Sequence, residues 1–247
     1  MAAAIGNLFD VKGRIALITG GSSGIGLMIA KGLVTNGSRV IITALPTDPI
    51  DDVVHELNVL GSPSGGTAEG FPTDLSTKTS IAALATHLTD TLHLPHLDIL
   101  VSNAGIRRDA PTPCQVTTAD LPTLQASMWS HHHGDWADTF AINTTAHYFL
   151  AVALVHLLAA AADRDVVEVA TVPGTEGGPS LRKGRDVGCG SVVVTSSCAS
   201  MHNCTNVDLT SYAASKAATD HLVAMLAAKF ARWHTLTGAV CVWTVAG

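Results

Sequence analysis

The sequence predicts an α/β fold in which about six parallel strands form a doubly wound sheet with helices on both faces. Short runs rich in β-branched residues alternate with longer helical segments along the chain. The predicted strands are apolar throughout, as expected for strands that helices cover on both sides. The chain has 247 residues, of which 47% are hydrophobic and 14% charged. This is enough apolar material for one large core, so we expect a single domain over residues 1–247.

The elements follow from hydrophobic periodicity. The first strand is predicted at 14–19, and Ile25, Ile29 and Leu33 give the next helix one apolar face by their i, i+4, i+8 spacing. The remaining strands are predicted at 39–44, 69–73, 97–102, 191–196 and 239–245. The helices are predicted at 25–36, 51–60, 77–92, 137–162 and 211–233.

Two stretches interrupt this alternation. Residues 106–130 are rich in Pro, Thr and polar residues and follow a strand end, which predicts an active-site loop. Residues 163–190 contain many Pro and Gly residues and a small basic cluster. We interpret the second stretch as a flexible surface insertion, and a binding flap is the alternative.

Composition excludes several classes of protein. The net charge of −6, with no Lys- or Arg-rich run, argues against nucleic-acid binding. Five cysteines without a Cys-x-x-Cys pair indicate reduced thiols, and the N-terminus resembles no secretory signal, so a cytoplasmic protein is expected. The apolar run 146–162 is predicted to be a buried helix and not a membrane span. His131-His132-His133 is predicted to be a solvated loop segment, and no metal site is expected.

A glycine-rich turn separates the first strand from the first helix. It reads Thr19-Gly20-Gly21-Ser22-Ser23-Gly24-Ile25-Gly26. Glycines at such a turn let backbone N–H groups approach a pyrophosphate, and the helix N-terminus adds a partial positive charge. The context predicts a dinucleotide site whose pyrophosphate end is formed by Gly20, Ser22, Ser23, Gly24, Ile25 and Gly26.

The end of the second strand bears on the choice of dinucleotide. NAD-binding proteins usually place an acid there for the ribose 2′-hydroxyl. This strand closes Ile42-Thr43-Ala44-Leu45, with no acid before Asp48, which lies beyond Pro46. NADP(H) is therefore predicted over NAD(H), although no Arg follows. Asp74 is a candidate acceptor for the adenine amino group, and a helix N-cap is the alternative role.

Four further motifs appear in order. They are Ser102-Asn103-Ala104-Gly105, Phe140-Ala-Ile-Asn143-Thr, Thr195-Ser196-Ser197 and Tyr212-Ala-Ala-Ser-Lys216. With the glycine turn they resemble the short-chain dehydrogenase/reductase family over roughly residues 12–247. The resemblance implies a Rossmann-like sheet of strand order 3-2-1-4-5-6. It also implies that the residues at the cofactor include Asn103, Ala104, Gly105, Tyr212 and Lys216, and that the catalytic residues are Ser197, Tyr212, Lys216 and Asn143.

The chemistry gives these residues separate roles. Reduction of a ketone needs a positioned proton donor, and a free phenol, with a pKa near 10, is a weak one. Lys216 lies one helical turn after Tyr212, so its ammonium would stabilise the phenolate. Ser197 would hold the substrate oxygen, with Ser196 and Ser200 as alternatives, because Ser197 and Tyr212 lie 15 residues apart. Asn143 would hold the far end of a proton relay through water.

The expected function is that of an NADP(H)-dependent oxidoreductase that interconverts a ketone and a secondary alcohol of a small, moderately apolar metabolite, with Tyr212 as general acid/base. The alternatives are a catalytically impaired nucleotide-binding homologue and a family member with isomerase, cyclase or dehydratase chemistry. The family pattern continues with a substrate-covering helix pair and a seventh strand, which we expect to be absent because the sequence stops at Gly247. A homodimer through the helices at 137–162 and 211–233 is expected because both are rich in Ala.

Overall fold

The computed structural model describes residues 10–108, 110–111, 114–168, 180–184, 189–201 and 209–242. The strands are β1 (Ile15–Thr19), β2 (Arg39–Ala44), β3 (Thr67–Pro72), β4 (Ile99–Ser102), β5 (Asp165–Glu168), β6 (Ser180–Lys183), β7 (Ser191–Ser197) and β8 (Leu236–Val242). Six of them form one parallel sheet in the order β3-β2-β1-β4-β7-β8. This order confirms the predicted fold class, since β7 and β8 are the fifth and sixth strands of that sheet.

The helices connect these strands and cover the sheet. They are α1 (Gly24–Thr35), α2 (Ile50–Gly61), α3 (Lys78–Thr86), α4 (Leu121–Trp129), α5 (His133–Phe140), α6 (Ala146–Ala160) and α7 (Thr210–Phe230). A π-helical segment, Ala141–Thr145, joins α5 to α6. The long helix predicted at 137–162 is this continuous run, which begins four residues earlier than predicted.

Two apolar cores explain why the strands are hydrophobic on both sides. Successive strand residues point to opposite faces, so Leu17 and Ile18 of β1 enter different cores. Leu17 packs among side chains from α3, α6 and α7, whereas Ile18 packs among those from α1 and α2. Both residues are completely buried. The layers are therefore helix, sheet and helix.

The helical run His133–Ala160 is long and apolar enough, by length and composition alone, to cross a membrane. Its second half packs on the sheet, where Leu150, Leu154 and Leu158 are buried in the core. The core position accounts for the apolar composition, as predicted for residues 146–162.

Two stretches differ from their predicted form. The loop predicted at 106–130 contains α4, so that interpretation is wrong for Leu121–Trp129. Asp120 starts this helix, because its carboxylate accepts the backbone N–H of Thr123. The insertion predicted at 163–190 contains the antiparallel pair of β5 and β6. Residues 169–179, 185–188 and 243–247 lie outside the described part of the chain.

A buried carboxylate ties the amino ends of β1 and β4 together. Asp98 is 1% exposed, and its oxygens lie 3.2 Å from Arg14 Nη1, 3.0 Å from Arg164 Nε and 3.2 Å from His96 Nε2. One oxygen also accepts the Ile15 N–H at 2.8 Å. Burial raises the pKa of Asp98, but the hydrogen bonds from His96 and Ile15 and the charge of Arg164 lower it by more, so the net shift is downward.

Replacing Asp98 with Asn is expected to destabilise the fold by about 3 kcal/mol at neutral pH, because two guanidinium groups lose a buried partner. A carboxyl group with a lowered pKa stabilises the fold above its unfolded pKa, and this contribution is lost as the pH falls through the folded pKa. The difference between wild type and Asp98→Asn should therefore shrink in acid. Denaturant unfolding at several pH values measures it. Asp165→Asn, which removes an exposed partner of Lys183, is the control, and equal losses for both variants would contradict the account.

Candidate active site

The candidate site lies where the strand order reverses, at the carboxyl ends of β1 and β4. Open α/β sheets bind ligands in the crevice at this point. Two cavities, of about 440 Å³ and about 540 Å³, occupy it. The two cavities adjoin, because both are lined by Gly20, Ser23, Ala104, Gly105 and Ile106, and together they are called the cleft.

The glycine turn has the close packing that a pyrophosphate cradle needs. Gly20 and Gly24 have φ angles of +64° and +52°, which favour glycine. A Cβ on Gly26 would lie 2.1 Å from the carbonyl oxygen of Gly20, so only glycine fits there. The N-cap of α1, Ser23, makes no side-chain capping hydrogen bond, and the first turn carries no acid. The turn and the helix N-terminus therefore suit the phosphates of a dinucleotide.

Asn103 joins three strands behind this turn. Its backbone N–H donates to Thr19 Oγ1 at 2.9 Å, and its side-chain amide donates to the Thr19 carbonyl at 3.1 Å. Its Oδ1 accepts the Thr195 hydroxyl at 3.1 Å. Asn103 thus fixes the ends of β1, β4 and β7 relative to one another, and Ala104 and Gly105 follow it along the floor of the cleft.

Asp74 lies at the adenine end of the predicted site. It lines the smaller cavity with Thr73 and Leu75, and its Oδ1 accepts the N–H of Ser76. The N-cap of α3 is Thr77. Asp74 is therefore not the N-cap of that helix, and adenine binding stays a prediction.

Asp48 also lines the smaller cavity, although the prediction of NADP(H) rested on the absence of an acid at the end of the second strand before Asp48. Its Oδ2 accepts the hydroxyl of Ser22, in the glycine turn, at 3.0 Å. The four-residue turn after β2 folds Asp48 back toward the strand end, so an acid lies there although it is four residues beyond the strand. Pro46, which suits the second position of such a turn, is the signal that could have revealed it.

Ser197, Tyr212 and Lys216 line the larger cavity together. Ser197 ends β7, and its Oγ accepts the N–H of Ala199 at 3.1 Å. Of the alternative serines, Ser196 also lines the cavity, and its buried hydroxyl has no hydrogen-bond partner among the described residues. Ser200 is not among the lining residues. The structure thus brings Ser197 and Tyr212 to one cavity, although they lie 15 residues apart in the sequence.

Lys216 is 2% exposed and points toward the end of β7. Its Nζ donates to the Thr195 carbonyl at 2.7 Å and lies 5.8 Å from the centre of the Tyr212 ring. Burial lowers the pKa of Lys216 to about 8, and the nearby carboxylate of Asp220 opposes that shift. The amine is therefore mostly protonated at neutral pH and places a positive charge beside the phenol.

Asn143 lies in the π-helical segment and is completely buried. Its Oδ1 accepts the Ile106 N–H at 2.8 Å, and its amide donates to the Ile106 carbonyl at 2.9 Å and to Ser215 Oγ at 3.0 Å. Both amide hydrogens are used, so the side chain clamps the backbone just after Gly105. The proton relay predicted for Asn143 stays a prediction. Its observed contacts are those of a positioning residue.

His147, one turn after Asn143, was not singled out as a site residue from the sequence. Its Nδ1 lies 2.6 Å from the hydroxyl of Ser102, at the end of β4. Burial, with a smaller contribution from the charge of Lys216, lowers the pKa of His147 to about 3. The imidazole is therefore neutral at physiological pH and supports the strand end from beneath the cleft.

Comparison with known proteins gives the family. The model for short chain dehydrogenases matches residues 14–183. The short-chain dehydrogenase/reductase PhomF of Diaporthe leptostromiformis is 34% identical over 153 residues, which cover 62% of this chain and 49% of PhomF. A 3-oxoacyl-[acyl-carrier-protein] reductase of rhamnolipid biosynthesis from Pseudomonas aeruginosa is 31% identical over 170 residues, which cover 67% of this chain and 57% of the relative. The chain thus spans about half the length of these relatives.

Among solved structures, the Pseudomonas aeruginosa RhlG/NADP active-site complex is similar, with a TM-score of 0.69 and 28% identity. The superposition covers 95% of this chain and 74% of RhlG. The family model matches more than half of the chain, and the strand order agrees with the fold. The chain belongs to the short-chain dehydrogenase family.

Proposed function

We propose that the protein is an oxidoreductase that interconverts a ketone and a secondary alcohol with a nicotinamide dinucleotide. The observation that carries this proposal is the convergence of Ser197, Tyr212 and Lys216 on a cavity that residues of the glycine turn also line. In that cleft a dinucleotide held by the turn would have its reactive end beside the three side chains. The residues present therefore fit the cofactor.

When bound, the dinucleotide supplies or accepts the hydride. Ser197 donates a hydrogen bond to the substrate oxygen and stabilises the charge that develops there. Tyr212 gives its proton to that oxygen during reduction and takes it back during oxidation. Lys216, held by the Thr195 carbonyl, stabilises the phenolate that remains.

The lining of the larger cavity supports a small, moderately apolar substrate. Its apolar members include Ile25, Ile106, Ala199 and Leu209. The similarity to a 3-oxoacyl reductase supports a ketone as the reacting group.

NADP(H) is the dinucleotide that the sequence predicts, and the similar RhlG structure contains NADP. The carboxylate of Asp48 in the adenosine part of the cleft opposes this choice. The proposed function therefore includes either dinucleotide, and the choice between them depends on Asp48.

We further propose that the chain acts in the cytoplasm, as one dinucleotide-binding domain, and forms a homodimer through α6 and α7. Tyr148, Val152 and Met225 on these helices are exposed, which provides apolar surface for the contact.

Serine substitutions test whether Ser197 is the residue that donates a hydrogen bond to the substrate oxygen. Ser197→Ala is expected to lower kcat by about 10²- to 10³-fold, because the developing oxyanion loses a hydrogen-bond donor. The measurement follows dinucleotide absorbance with a panel of ketones and secondary alcohols. Ser196→Ala and Ser200→Ala are the matched controls and should retain most of the activity. A larger loss in either control would move the role to that serine, and dinucleotide binding without turnover of any substrate would contradict the proposed function.

A further inference from the structure

We propose that Asp48 is the residue that selects the dinucleotide, and that it makes the protein prefer NAD(H) to NADP(H). This inference rests on the proposed dinucleotide site and reverses the preference predicted from the sequence. The acid lies four residues beyond the last residue of β2 and not at the strand end, where dinucleotide-binding proteins usually place it.

The turn that carries Asp48 is held by the backbone and by the carboxylate itself. The N–H of Asp48 donates to the Leu45 carbonyl at 2.9 Å, and Asp48 Oδ2 accepts the Leu45 N–H at 3.3 Å. Pro46 restricts the turn, and Pro49 follows it directly before α2 begins at Ile50. The turn thereby brings the carboxylate of Asp48 back to the end of β2, although Asp48 lies four residues after that strand.

The same carboxylate engages the glycine turn. Ser22 is 8% exposed, and its hydroxyl donates to Asp48 Oδ2 at 3.0 Å. Both residues line the smaller cavity beside Thr43, near the carboxyl end of β2. The pyrophosphate binds at the turn and at the N-terminus of α1, so the adenosine ribose would extend toward this strand end. Asp48 thus lies where an acid would accept the ribose 2′-hydroxyl.

The charges around the cavity disfavour a 2′-phosphate. Such a phosphate carries between one and two negative charges at neutral pH. Within the described part of the chain, the cation that lines this cavity is Arg108, which comes from the loop after β4. Arg108 Nε lies 3.9 Å from a carboxylate oxygen of Asp135, outside the turn that carries Asp48. Asp48 and Asp74, by contrast, both add negative charge to the adenosine part.

The hydroxyl of Ser22 strengthens the same preference. A serine in the glycine turn could otherwise donate to a 2′-phosphate, but here its hydrogen is given to Asp48. The phosphate would therefore meet a carboxylate in place of a donor. At the distances of a binding site, a like-charge contact of this kind changes affinity by about tenfold or more.

The test is a titration of NADH and NADPH into the wild-type protein, with the change in nicotinamide fluorescence as the readout. We expect NADH to bind at least about tenfold more tightly than NADPH. Asp48→Asn keeps the size of the side chain and removes its charge. In this variant the ratio of the NADPH dissociation constant to the NADH dissociation constant should fall by about tenfold, through tighter NADPH binding and weaker NADH binding. Asp51→Asn is the matched control. Asp51 is exposed on the first turn of α2, so its substitution removes the same charge outside the cavity. Its ratio should equal that of wild type.

The outcomes separate this inference from the proposed function. Tighter binding of NADPH by the wild type, or an unchanged ratio in Asp48→Asn, would overturn the role of Asp48 and leave the dinucleotide site intact. A change of ratio in Asp51→Asn equal to that in Asp48→Asn would also overturn it, since net charge alone would then explain the preference. Binding of neither dinucleotide would overturn both proposals.

Discussion

Replacing Tyr212 with Phe is expected to lower kcat by about 10²- to 10⁴-fold and to leave the dissociation constant of the dinucleotide nearly unchanged. The substitution removes only the hydroxyl, which is the group that exchanges a proton with the substrate oxygen. The ring still packs beside Lys216, whose hydrogen bond to the Thr195 carbonyl does not involve the phenol. Steady-state rates with a turned-over ketone and a fluorescence titration of the dinucleotide measure the two quantities.

The chain supplies its own control for this variant. It has two tyrosines, and the other, Tyr148, is partly exposed on α6. Tyr148→Phe should keep wild-type kcat, because the residue does not line the cleft. Retention of more than about a tenth of the activity in Tyr212→Phe would show that another group transfers the proton.

Replacing Gly26 with Ala is expected to destabilise the fold by about 3 kcal/mol and to abolish dinucleotide binding. The new Cβ would lie 2.1 Å from the Gly20 carbonyl oxygen and 2.7 Å from Asn103 Nδ2. The first of these is backbone, and Asn103 is held by hydrogen bonds to two strands, so neither can move without opening the turn. Denaturant unfolding and dinucleotide titration measure the two effects.

A second glycine of the same helix provides the comparison. Apart from the backbone of its own helix, a Cβ on Gly32 would meet no atom of the described residues within 4 Å. Gly32→Ala should therefore stabilise the protein by about 0.5 to 1 kcal/mol, because Ala is the better helix former. If Gly26→Ala also stabilised the protein, helix propensity and not close packing would determine the effect at Gly26.

The sheet could be predicted from the sequence because burial on both faces leaves a strong signal. β2 was predicted with its observed bounds, Arg39–Ala44, from a run of apolar and β-branched residues. The glycine turn could be predicted for a similar reason, since positive φ angles and close packing restrict Gly20 and Gly26 to one residue type.

Tertiary contacts between residues that are distant in the sequence could not be predicted in the same way. Asp48 is polar and lies in a turn, and periodicity does not report that its carboxylate reaches Ser22. α4 does carry Leu121, Leu124 and Met128 at i, i+3, i+7 spacing, but the Pro and Thr residues around them favour a loop, and Leu121 and Met128 stay exposed and do not join the core. The role of Asn143 stays a prediction, and its hydrogen bonds to Ile106 depend on the π-helical segment, which sequence spacing does not reveal.

The central claim is that Tyr212 and Lys216 act as one unit, in which the ammonium makes the phenol a usable acid and base. Measuring kcat at saturating dinucleotide for wild type, Tyr212→Phe, Lys216→Met and the double variant tests this claim most directly. If the two side chains act together, the double variant should lose no more activity than Tyr212→Phe alone. Losses that multiply would show independent contributions and would contradict the account.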